Sequence, residues 1–362
     1  MQDQISISVI VPVYNGGSYV KKCIDGLLKQ DFSQIFEIIM VDDASTDDSL
    51  QLIKNYNLSN LKLLSLPFNS GPSVARNLGL KNAVGEYVFF LDVDDTIELN
   101  TLKTLYSLAI KTNCDYVCSD FKRIEDSANQ RDNTFNYPSD MTFNHEDIIK
   151  AMHRELYDPS LGHLGLFGCN GRLMRRSLLV KNEIFFDEKI WWTEDRAFSW
   201  EVLGSVKSAR YIRKQLYSYY VHPNVKTLII EGLQRRSALE TVKLIQGHIR
   251  NGLKKKEVED QEIKKLTEQA LIFYTIQVLV SISRSIFLKK IESSIGKKIR
   301  KNIINEIIKD NDVKVAVRHY SPSKKESKWI PKAISMRSSI FLEIACNLRA
   351  RQVVKKRRTG IE

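Results

Sequence analysis

The sequence lacks the cysteine and histidine patterns of disulfide-rich and zinc-binding proteins. Its five cysteines are odd in number and show no metal-ligand spacing with the six histidines; they are Cys23, Cys114, Cys118, Cys169 and Cys346. We therefore expect reduced thiols. The first residues contain neither a basic segment nor a long apolar segment, so no export signal is predicted and a cytoplasmic location is expected.

Long hydrophobic runs are also scarce. The most apolar stretch, residues 270–286, is interrupted by Gln277 and Arg284 and falls short of the length and purity expected of a spanning helix. We expect it to be buried or interfacial. The sequence has no G-x-G-x-x-G turn, which excludes a typical dehydrogenase. A nucleotidyltransferase would need a basic residue in the glycine loop after the first strand, and Asn15-Gly-Gly-Ser contains none.

Positive charge is concentrated in the last third of the chain. The net charge is +12, divided into −4 for residues 1–230 and +16 for residues 231–362. Basic residues interleave there with Ile, Leu and Phe, at Arg284, Lys289-Lys290, Lys297-Lys298, Arg300-Lys301, Lys324-Lys325 and Lys355-Lys-Arg-Arg. This pattern suits helices on an anionic membrane surface, a solvated helical bundle or a homo-oligomer contact. Nucleic acid is the weaker interpretation, because no recognised binding module accompanies the charge.

Hydrophobic periodicity predicts two regions. Strand-like and helix-like segments alternate from residue 5 to residue 91, which indicates a mostly parallel sheet flanked by helices. Residues 123–145 are polar and lack periodicity, so we expect a loop there. Beyond about residue 226 the pattern becomes helical. We therefore predict an α/β domain at 1–228 and a basic helical region at 229–362.

Two acidic clusters follow predicted strands, at Asp42-Asp43 and at Asp92 to Asp95. Ligands of open α/β sheets bind beyond the carboxyl ends of the strands. Asp92 and Asp94 are two residues apart at a strand edge, so extended geometry would direct both carboxylates the same way and suit a hard divalent cation. The alternative is a solvated acidic turn in which Asp95 and Thr96 cap a helix.

Four motifs occur in order across residues 5–97: Val9-Ile-Val-Pro-Val-Tyr-Asn, Ile39-Met-Val-Asp-Asp-Ala-Ser-Thr-Asp, Gly71-Pro-Ser-Val-Ala-Arg-Asn-Leu-Gly and Gly85-Glu-Tyr-Val-Phe-Phe-Leu-Asp-Val-Asp-Asp. A fifth follows at Trp191-Trp-Thr-Glu-Asp-Arg-Ala-Phe-Ser-Trp. The set resembles family 2 of the glycosyltransferases. The resemblance implies a GT-A fold, a nucleotide-diphospho-sugar donor with uracil as the expected base, Mg²⁺ or Mn²⁺, and inversion at the anomeric carbon.

The resemblance also implies roles for particular residues. Asp43 would face the base, and the nucleotide-sugar site would comprise Pro12, Tyr14, Asn15, Asp42, Asp43, Arg76, Asn77, Asp92, Val93 and Asp94. Metal ligands would come from Asp92, Asp94, Asp95 and His222, with Lys226 as a phosphate candidate. Alternatives remain: Asp42, Asp43 and Ser45 would also serve as caps of a helix beginning near Asp47, and Arg76 as an ordinary ion-paired residue.

The fifth motif implies the acceptor side of the reaction. Asp195 would be the general base on the acceptor hydroxyl, beside Glu194, although acidic residues also favour a helix N-terminus for electrostatic reasons. Trp191 and Trp192 are either a stacking platform for a sugar or core residues. Residues 165–170 are expected beneath the acceptor.

These patterns predict an inverting hexosyl- or N-acetylhexosaminyltransferase. The expected acceptor is a glycan or lipid-linked saccharide in surface polysaccharide or glycolipid synthesis, with the enzyme cytoplasmic or peripheral on the inner membrane face. The alternative is a catalytically silent carbohydrate- or nucleotide-binding subunit of a glycan assembly complex.

Overall fold

A computed structural model describes residues 5–126, 129–133, 139–157, 166–221, 237–288, 293–323 and 326–359. The chain forms two compact units. The first comprises Met1–Ala151, Leu161–Glu188 and Thr193–His222; the second comprises Met152–Ser160, Lys189–Trp192 and Pro223–Glu362. The predicted boundary near residue 228 lies outside the described residues, as do His222 and Lys226.

A ten-stranded sheet organises the first unit. Its strands are β1 (Ile7–Val13), β2 (Phe36–Asp42), β3 (Leu61–Ser65), β4 (Tyr87–Phe90), β5 (Thr96–Ile97), β6 (Tyr116–Asp126), β7 (Asn129–Asn133), β8 (Met141–Phe143), β9 (Arg172–Arg175) and β10 (Ala209–Tyr220). The order is β3-β2-β1-β4-β9-β6-β10-β5, with β7 on β6 and β8 on β10. The first four strands are parallel as predicted, and β9 introduces antiparallel pairing.

Helices cover both faces of this sheet. The helices up to residue 205 are α1 (Gly17–Leu28), α2 (Ser49–Lys54), α3 (Pro72–Asn82), α4 (Thr101–Thr112), α5 (His145–Tyr157), which belongs to the second unit from Met152 onward, α6 (Arg176–Lys181) and α7 (Glu194–Ser205). Alternate β1 residues face opposite layers, since side chains alternate along a strand. Val9 and Val11 join the core cluster with residues of α1 and α4, whereas Ile10 meets α3 at Gly79. Strand β1 is thereby buried on both faces.

The expectation of a loop at 123–145 was wrong for much of that segment. β6 extends to Asp126 and pairs antiparallel with β7, and β8 pairs antiparallel with β10. The β7 sequence, Asn-Gln-Arg-Asp-Asn, has no apolar alternation. Main-chain pairing with β6 therefore defines this strand, and a hydrophobic pattern had nothing to detect.

The second unit is helical, as the sequence predicts. Its helices are α8 (Ala238–Lys255), α9 (Asp260–Phe287), α10 (Ser293–Lys309), α11 (Asn311–Ala316), α12 (Trp329–Ser335) and α13 (Ser339–Thr359). Residues 270–286 lie in α9, which packs against α8, α10 and α13. Contrary to the sequence expectation, α9 is long and apolar enough to cross a membrane by length and composition, yet 67% of its apolar window is buried within the protein. This burial is typical of a core helix.

Candidate active site

The loops after β1 and β4 meet at the carboxyl edge of the parallel strands. Gly16 follows β1, and a Cβ atom placed there would lie 2.9 Å from Val93 Cγ1. Because β1 pairs with both β2 and β4, the two acidic clusters leave neighbouring parts of one sheet edge. Val93 therefore packs against the turn that carries Tyr14 and Asn15.

Asn15 fixes this turn to the loop after β2. Its Oδ1 accepts hydrogen bonds from the Thr46 amide at 2.8 Å and the Asp47 amide at 3.3 Å, while its own N–H donates to Ser45 Oγ at 3.0 Å. Asn15 has φ +50°, a conformation that asparagine tolerates better than most residues. Asn15 thus joins two loops of the predicted nucleotide site.

Asp42 and Asp43 are both buried but are used differently. The Asp43 carboxylate accepts the amides of Ser70 at 2.7 Å and Gly71 at 2.8 Å, which fixes the loop that enters α3. Asp42 Oδ2 accepts the Ser45 amide at 3.3 Å, and its Oδ1 has no hydrogen-bond partner within the described residues. Neither carboxylate caps α2, so the capping alternative does not describe this pair.

Two polar side chains hold Asp92. Arg76 Nη2 donates to Asp92 Oδ1 at 2.9 Å, and Asn170 Nδ2 donates to Asp92 Oδ2 at 2.5 Å. Asn170 is brought there by a β-bridge to Phe90, two residues before Asp92. Asp92 is therefore oriented from two directions before any ligand arrives.

Asp95 lies beneath the cluster and is 2% exposed. Tyr217 donates its hydroxyl to Asp95 Oδ2 at 2.5 Å, and the Tyr220 amide donates to Oδ1 at 2.9 Å. Burial and the charge of Asp92 raise the pKa of Asp95 to about 8, although the Tyr217 hydrogen bond opposes this shift. The raised pKa favours the neutral form of Asp95, which lowers the negative charge of the cluster.

The cluster fits a divalent cation. Asp92, Asp94 and Asp95 each provide a carboxylate oxygen, and these oxygens lie within 4.8 Å of one another. Opposite ligands of a Mg²⁺ ion with bonds of about 2.1 Å are roughly 4.2 Å apart, so small side-chain rotations suffice. An all-oxygen donor set is also what hard cations prefer. These three aspartates are the groups that would hold the ion.

Arg76 connects the cluster to the fifth motif. The guanidinium is 6% exposed, and its Nη1 donates to Glu194 Oε1 at 3.1 Å while Nη2 binds Asp92. Burial alone would lower the pKa of Arg76, but nearby acidic groups, including Asp92 and Glu194, raise it well above its ordinary value. Arg76 therefore stays charged and brings the predicted donor-side and acceptor-side acids to one place.

Glu194 and Asp195 form the first turn of α7. Burial raises the pKa of Glu194, and the adjacent Arg76 charge opposes that shift. Asp195 Oδ1 accepts the Arg196 amide at 2.8 Å, and a Cβ atom on Gly168 would lie 4.0 Å from Asp195 Oδ2. Gly168, at φ +105°, leaves room beside that oxygen.

Several residues that organise the site were missed at the sequence level. Arg172 donates to the carbonyls of Asn170 at 2.6 Å and Phe167 at 3.2 Å, which shapes the loop that presents Asn170. The sequence placed residues 165–170 near the acceptor but gave no role to Asn170. Tyr217 was missed as well. Asn170 and Tyr217 both act through contacts with residues far away in the sequence, Asp92 and Asp95, and such contacts leave no local motif.

Some predicted residues have other observed contacts. Asn77 donates to the Phe186 carbonyl at 2.9 Å and to Glu188 Oε1 at 3.0 Å, and its Oδ1 accepts the Phe186 amide at 2.8 Å. Asn77 thus fixes this segment, and its contact with a nucleotide stays a prediction. The roles of Pro12, Tyr14, Trp191 and Trp192 also stay predictions; the two tryptophans belong to the second unit.

Sequence comparison relates the chain to known enzymes. The family model "Glycosyl transferase family 2" matches residues 8–181. The poly(ribitol-phosphate) β-N-acetylglucosaminyltransferase TarS of Staphylococcus aureus is 31% identical over 218 residues, which are 59% of this chain and 35% of that protein. The poly(ribitol-phosphate) β-glucosyltransferase of Bacillus spizizenii is 30% identical over 223 residues, 60% of this chain and 32% of that protein. The chain spans about a third of the length of these two relatives.

Structural comparison extends over nearly the whole chain. Crystal structures of S. aureus TarS 1–349 in complex with UDP and with UDP-GlcNAc match with a TM-score of 0.68, at 24% and 21% identity, and cover 96% of this chain and 92% of theirs. At this identity the match establishes the fold, which is the predicted GT-A type with a helical C-terminal region. The ordered motifs, the family model and the shared fold agree: residues 8–181 of this chain match glycosyl transferase family 2.

Proposed function

We propose that this protein transfers a hexosyl or N-acetylhexosaminyl group from a UDP-sugar to an acceptor hydroxyl, with inversion. The observation that supports this proposal most directly is the Arg76 bridge, by which we mean the two ion pairs of Arg76 with Asp92 and Glu194. One buried guanidinium binds Asp92 of the predicted cation site and Glu194 beside the predicted base. This contact unites the two halves of a displacement reaction, departure of a diphosphate and activation of a hydroxyl.

The comparisons support the substrate class. Two relatives are named for transferring N-acetylglucosamine or glucose to poly(ribitol phosphate), and TarS has been crystallised with UDP and UDP-GlcNAc. We therefore propose a UDP-sugar donor and a hydroxyl-bearing surface polymer as acceptor. Five free, buried cysteines in the described part of the chain support a reducing, cytoplasmic setting.

The donor half of the site would bind the nucleotide along the β1, β2 and β4 loops. The Asp42–Asp43 pair supplies buried carboxylate oxygens for an N–H of the base, and Asp42 Oδ1 is an unused acceptor there. Asp92, Asp94 and Asp95 would hold Mg²⁺ or Mn²⁺, which when bound neutralises charge on the diphosphate. Arg76 keeps Asp92 in place throughout.

The acceptor half would activate the nucleophile. Asp195 takes the proton of the acceptor hydroxyl as that oxygen bonds to the anomeric carbon. The bond between this carbon and the diphosphate oxygen breaks on the opposite face, and UDP leaves with the bonding electrons. Glu194 stays bound to Arg76 and fixes the first turn of α7. A single displacement of this kind inverts the anomeric centre.

Release of UDP from UDP-GlcNAc, UDP-glucose and related donors, with Mg²⁺ or Mn²⁺ and a poly(ribitol phosphate) acceptor, tests the proposal. We expect Asp195→Asn to lower kcat about 10²- to 10⁴-fold because the base is lost. Asp94→Asn should weaken metal-dependent donor turnover by about 10²-fold or more. Asp31→Asn, an exposed site paired with Lys103, is the matched control and should retain full activity.

A silent assembly subunit predicts a different result. Such a protein would bind UDP in calorimetry yet release none from any donor, with or without an acceptor. Equal turnover by the wild type, Asp94→Asn and Asp195→Asn would also refute the proposed mechanism.

A further inference from the structure

The outer face of α13 carries exposed apolar residues followed by cations. Ile340 is 74% exposed, Ile344 49% and Leu348 52%. At 100° per residue, these three side chains project within the same arc of about 80° as Arg351 and Lys355, which are exposed one to two turns later. An exposed helix face normally carries polar residues, so this pattern needs an explanation.

Aromatic residues extend this face on both sides. The Trp329 ring of α12 contacts Phe341 with ring centroids 6.1 Å apart, and Trp329 is 58% exposed. At the other end, the guanidinium carbon of Arg351 lies 5.9 Å from the Phe287 ring centroid. Lys332 Nζ lies 5.4 Å from the Trp329 ring centroid. We call the set Trp329, Lys332, Ile340, Phe341, Ile344, Leu348, Arg351, Lys355 and Phe287 the α13 surface.

The charge of this surface is positive. Its charged members are Lys332, Arg351 and Lys355, and the flanking Glu343 is neutralised by an ion pair with the buried Arg300. A second copy of the chain would bring cations against cations, which opposes self-association. Anionic phospholipid headgroups would attract the same cations, and each basic residue near such a surface gains about 1 kcal/mol.

We propose that the α13 surface docks this protein on an anionic lipid bilayer. Aliphatic side chains on a convex helix insert between lipid chains without needing a complementary pocket, and Trp329 has the amphipathic ring that favours the interfacial zone. Apart from its last residue, Phe287, helix α9 belongs to the core of the unit and takes no part. The protein lies on the membrane through this face.

Co-sedimentation of the full chain with vesicles tests the proposal. The wild type should bind phosphatidylcholine vesicles containing about 30% phosphatidylglycerol, should not bind pure phosphatidylcholine, and should dissociate in about 1 M salt. The double substitution Ile344→Ser and Leu348→Ser should lower partitioning about tenfold or more. Val315→Ser with Ile295→Ser, at positions each 45% exposed outside the α13 surface, should leave it unchanged.

A charge pair provides a second arm. Arg351→Gln with Lys355→Gln should lower partitioning about thirtyfold, whereas Lys309→Gln with Lys314→Gln removes the same charge elsewhere and should cost less than about threefold. Trp329 emission should shift to the blue with anionic vesicles, a change absent in Trp329→Phe. UDP release in solution should be unaffected by all these substitutions.

Three results would overturn the proposal. The first is a wild type that does not bind anionic vesicles. The second is an equal loss of vesicle partitioning in a pair of substitutions on the α13 surface and in its control pair. The third is light scattering that shows Ile344→Ser and Leu348→Ser dissolving an oligomer, which would make the α13 surface an interface between copies. Failure of sugar transfer leaves these outcomes unaffected, because vesicle binding is read without a donor.

Discussion

Several contacts of single residues in this site could not be predicted from the sequence motifs. The sequence left Arg76 open between a donor ligand and an ordinary ion-paired residue, and the structure shows a buried residue paired twice. No local pattern reveals that Glu194, 118 positions later, is its partner. Asp92 was predictable from its strand edge, whereas Asn170 reaches it through a bridge that depends on sheet register.

The Arg76 bridge leads to a prediction about catalysis. Arg76→Lys keeps the charge but loses the planar fork that binds two carboxylates at once, so we expect kcat to fall about 10²-fold. Arg175, which pairs with Glu86 and Asp115 at 3.0 Å each, offers the matched control. We expect Arg175→Lys and Arg76→Lys to lower the midpoint of unfolding by similar amounts. Only Arg76→Lys should lower kcat. Full activity in Arg76→Lys would contradict a positioning role.

Among elements, predictability followed burial. The parallel strands β1, β2 and β4 are buried on both faces and read as continuous apolar runs, so their order and the acidic ends were evident. The polar strand β7 is defined by its neighbour alone, and the wrong loop expectation followed from that. The carboxyl edge was thus predictable, and the contact of Asn170 with Asp92 that completes it was not.

The contact of α3 with β1 gives a prediction about stability. A Cβ on Gly79 would lie 2.4 Å from Ile10 Cγ2, so Gly79→Ala forces the helix away from the sheet and should cost about 1 to 3 kcal/mol in urea unfolding. A Cβ placed on Gly26 in α1 would have no atom within 4 Å beyond its chain neighbours and the backbone of its own helix. Gly26→Ala should therefore stabilise the protein by about 0.5 to 1 kcal/mol. Equal effects of the two substitutions would refute the close-packing explanation.

For the whole molecule, charge and composition predicted an acidic α/β unit and a basic helical unit, but not how cations are used. Arg300 is buried among Ser283, Asn347 and Glu343, although the sequence grouped it with solvent-facing basic clusters. Charge counts identify a basic region, and only packing separates structural cations from those on the α13 surface.

The second unit also contains a buried lysine that should make global stability depend on pH. Burial lowers the pKa of Lys256 to about 8 from 10.5. The unfolded chain therefore binds more protons between these values, so stability should rise as pH increases from about 8 to 10.5. Below about pH 8, Lys256 is protonated in both the folded and the unfolded chain, so the full free-energy cost of burying its charge remains.

Lys256→Met removes this penalty. It should raise the free energy of unfolding by about 1 to 3 kcal/mol near pH 7, and the gain should shrink towards pH 10. Lys254→Met, at an exposed position in the last turn of α8, is the matched control and should change the free energy of unfolding little. Urea titrations at both pH values check this, and a gain that does not change with pH would contradict the linkage.

The buried thiols can be used to measure how often the parts of the structure around them open. Cys23, Cys114, Cys118 and Cys169 belong to the first unit and Cys346 to the second, and all five are buried. An alkylating reagent reaches a buried sulfur only when the surrounding structure opens, so each labelling rate reports a local opening free energy. Mass spectrometry of the labelled peptides would separate local opening of the first unit from local opening of the helical unit without any mutation.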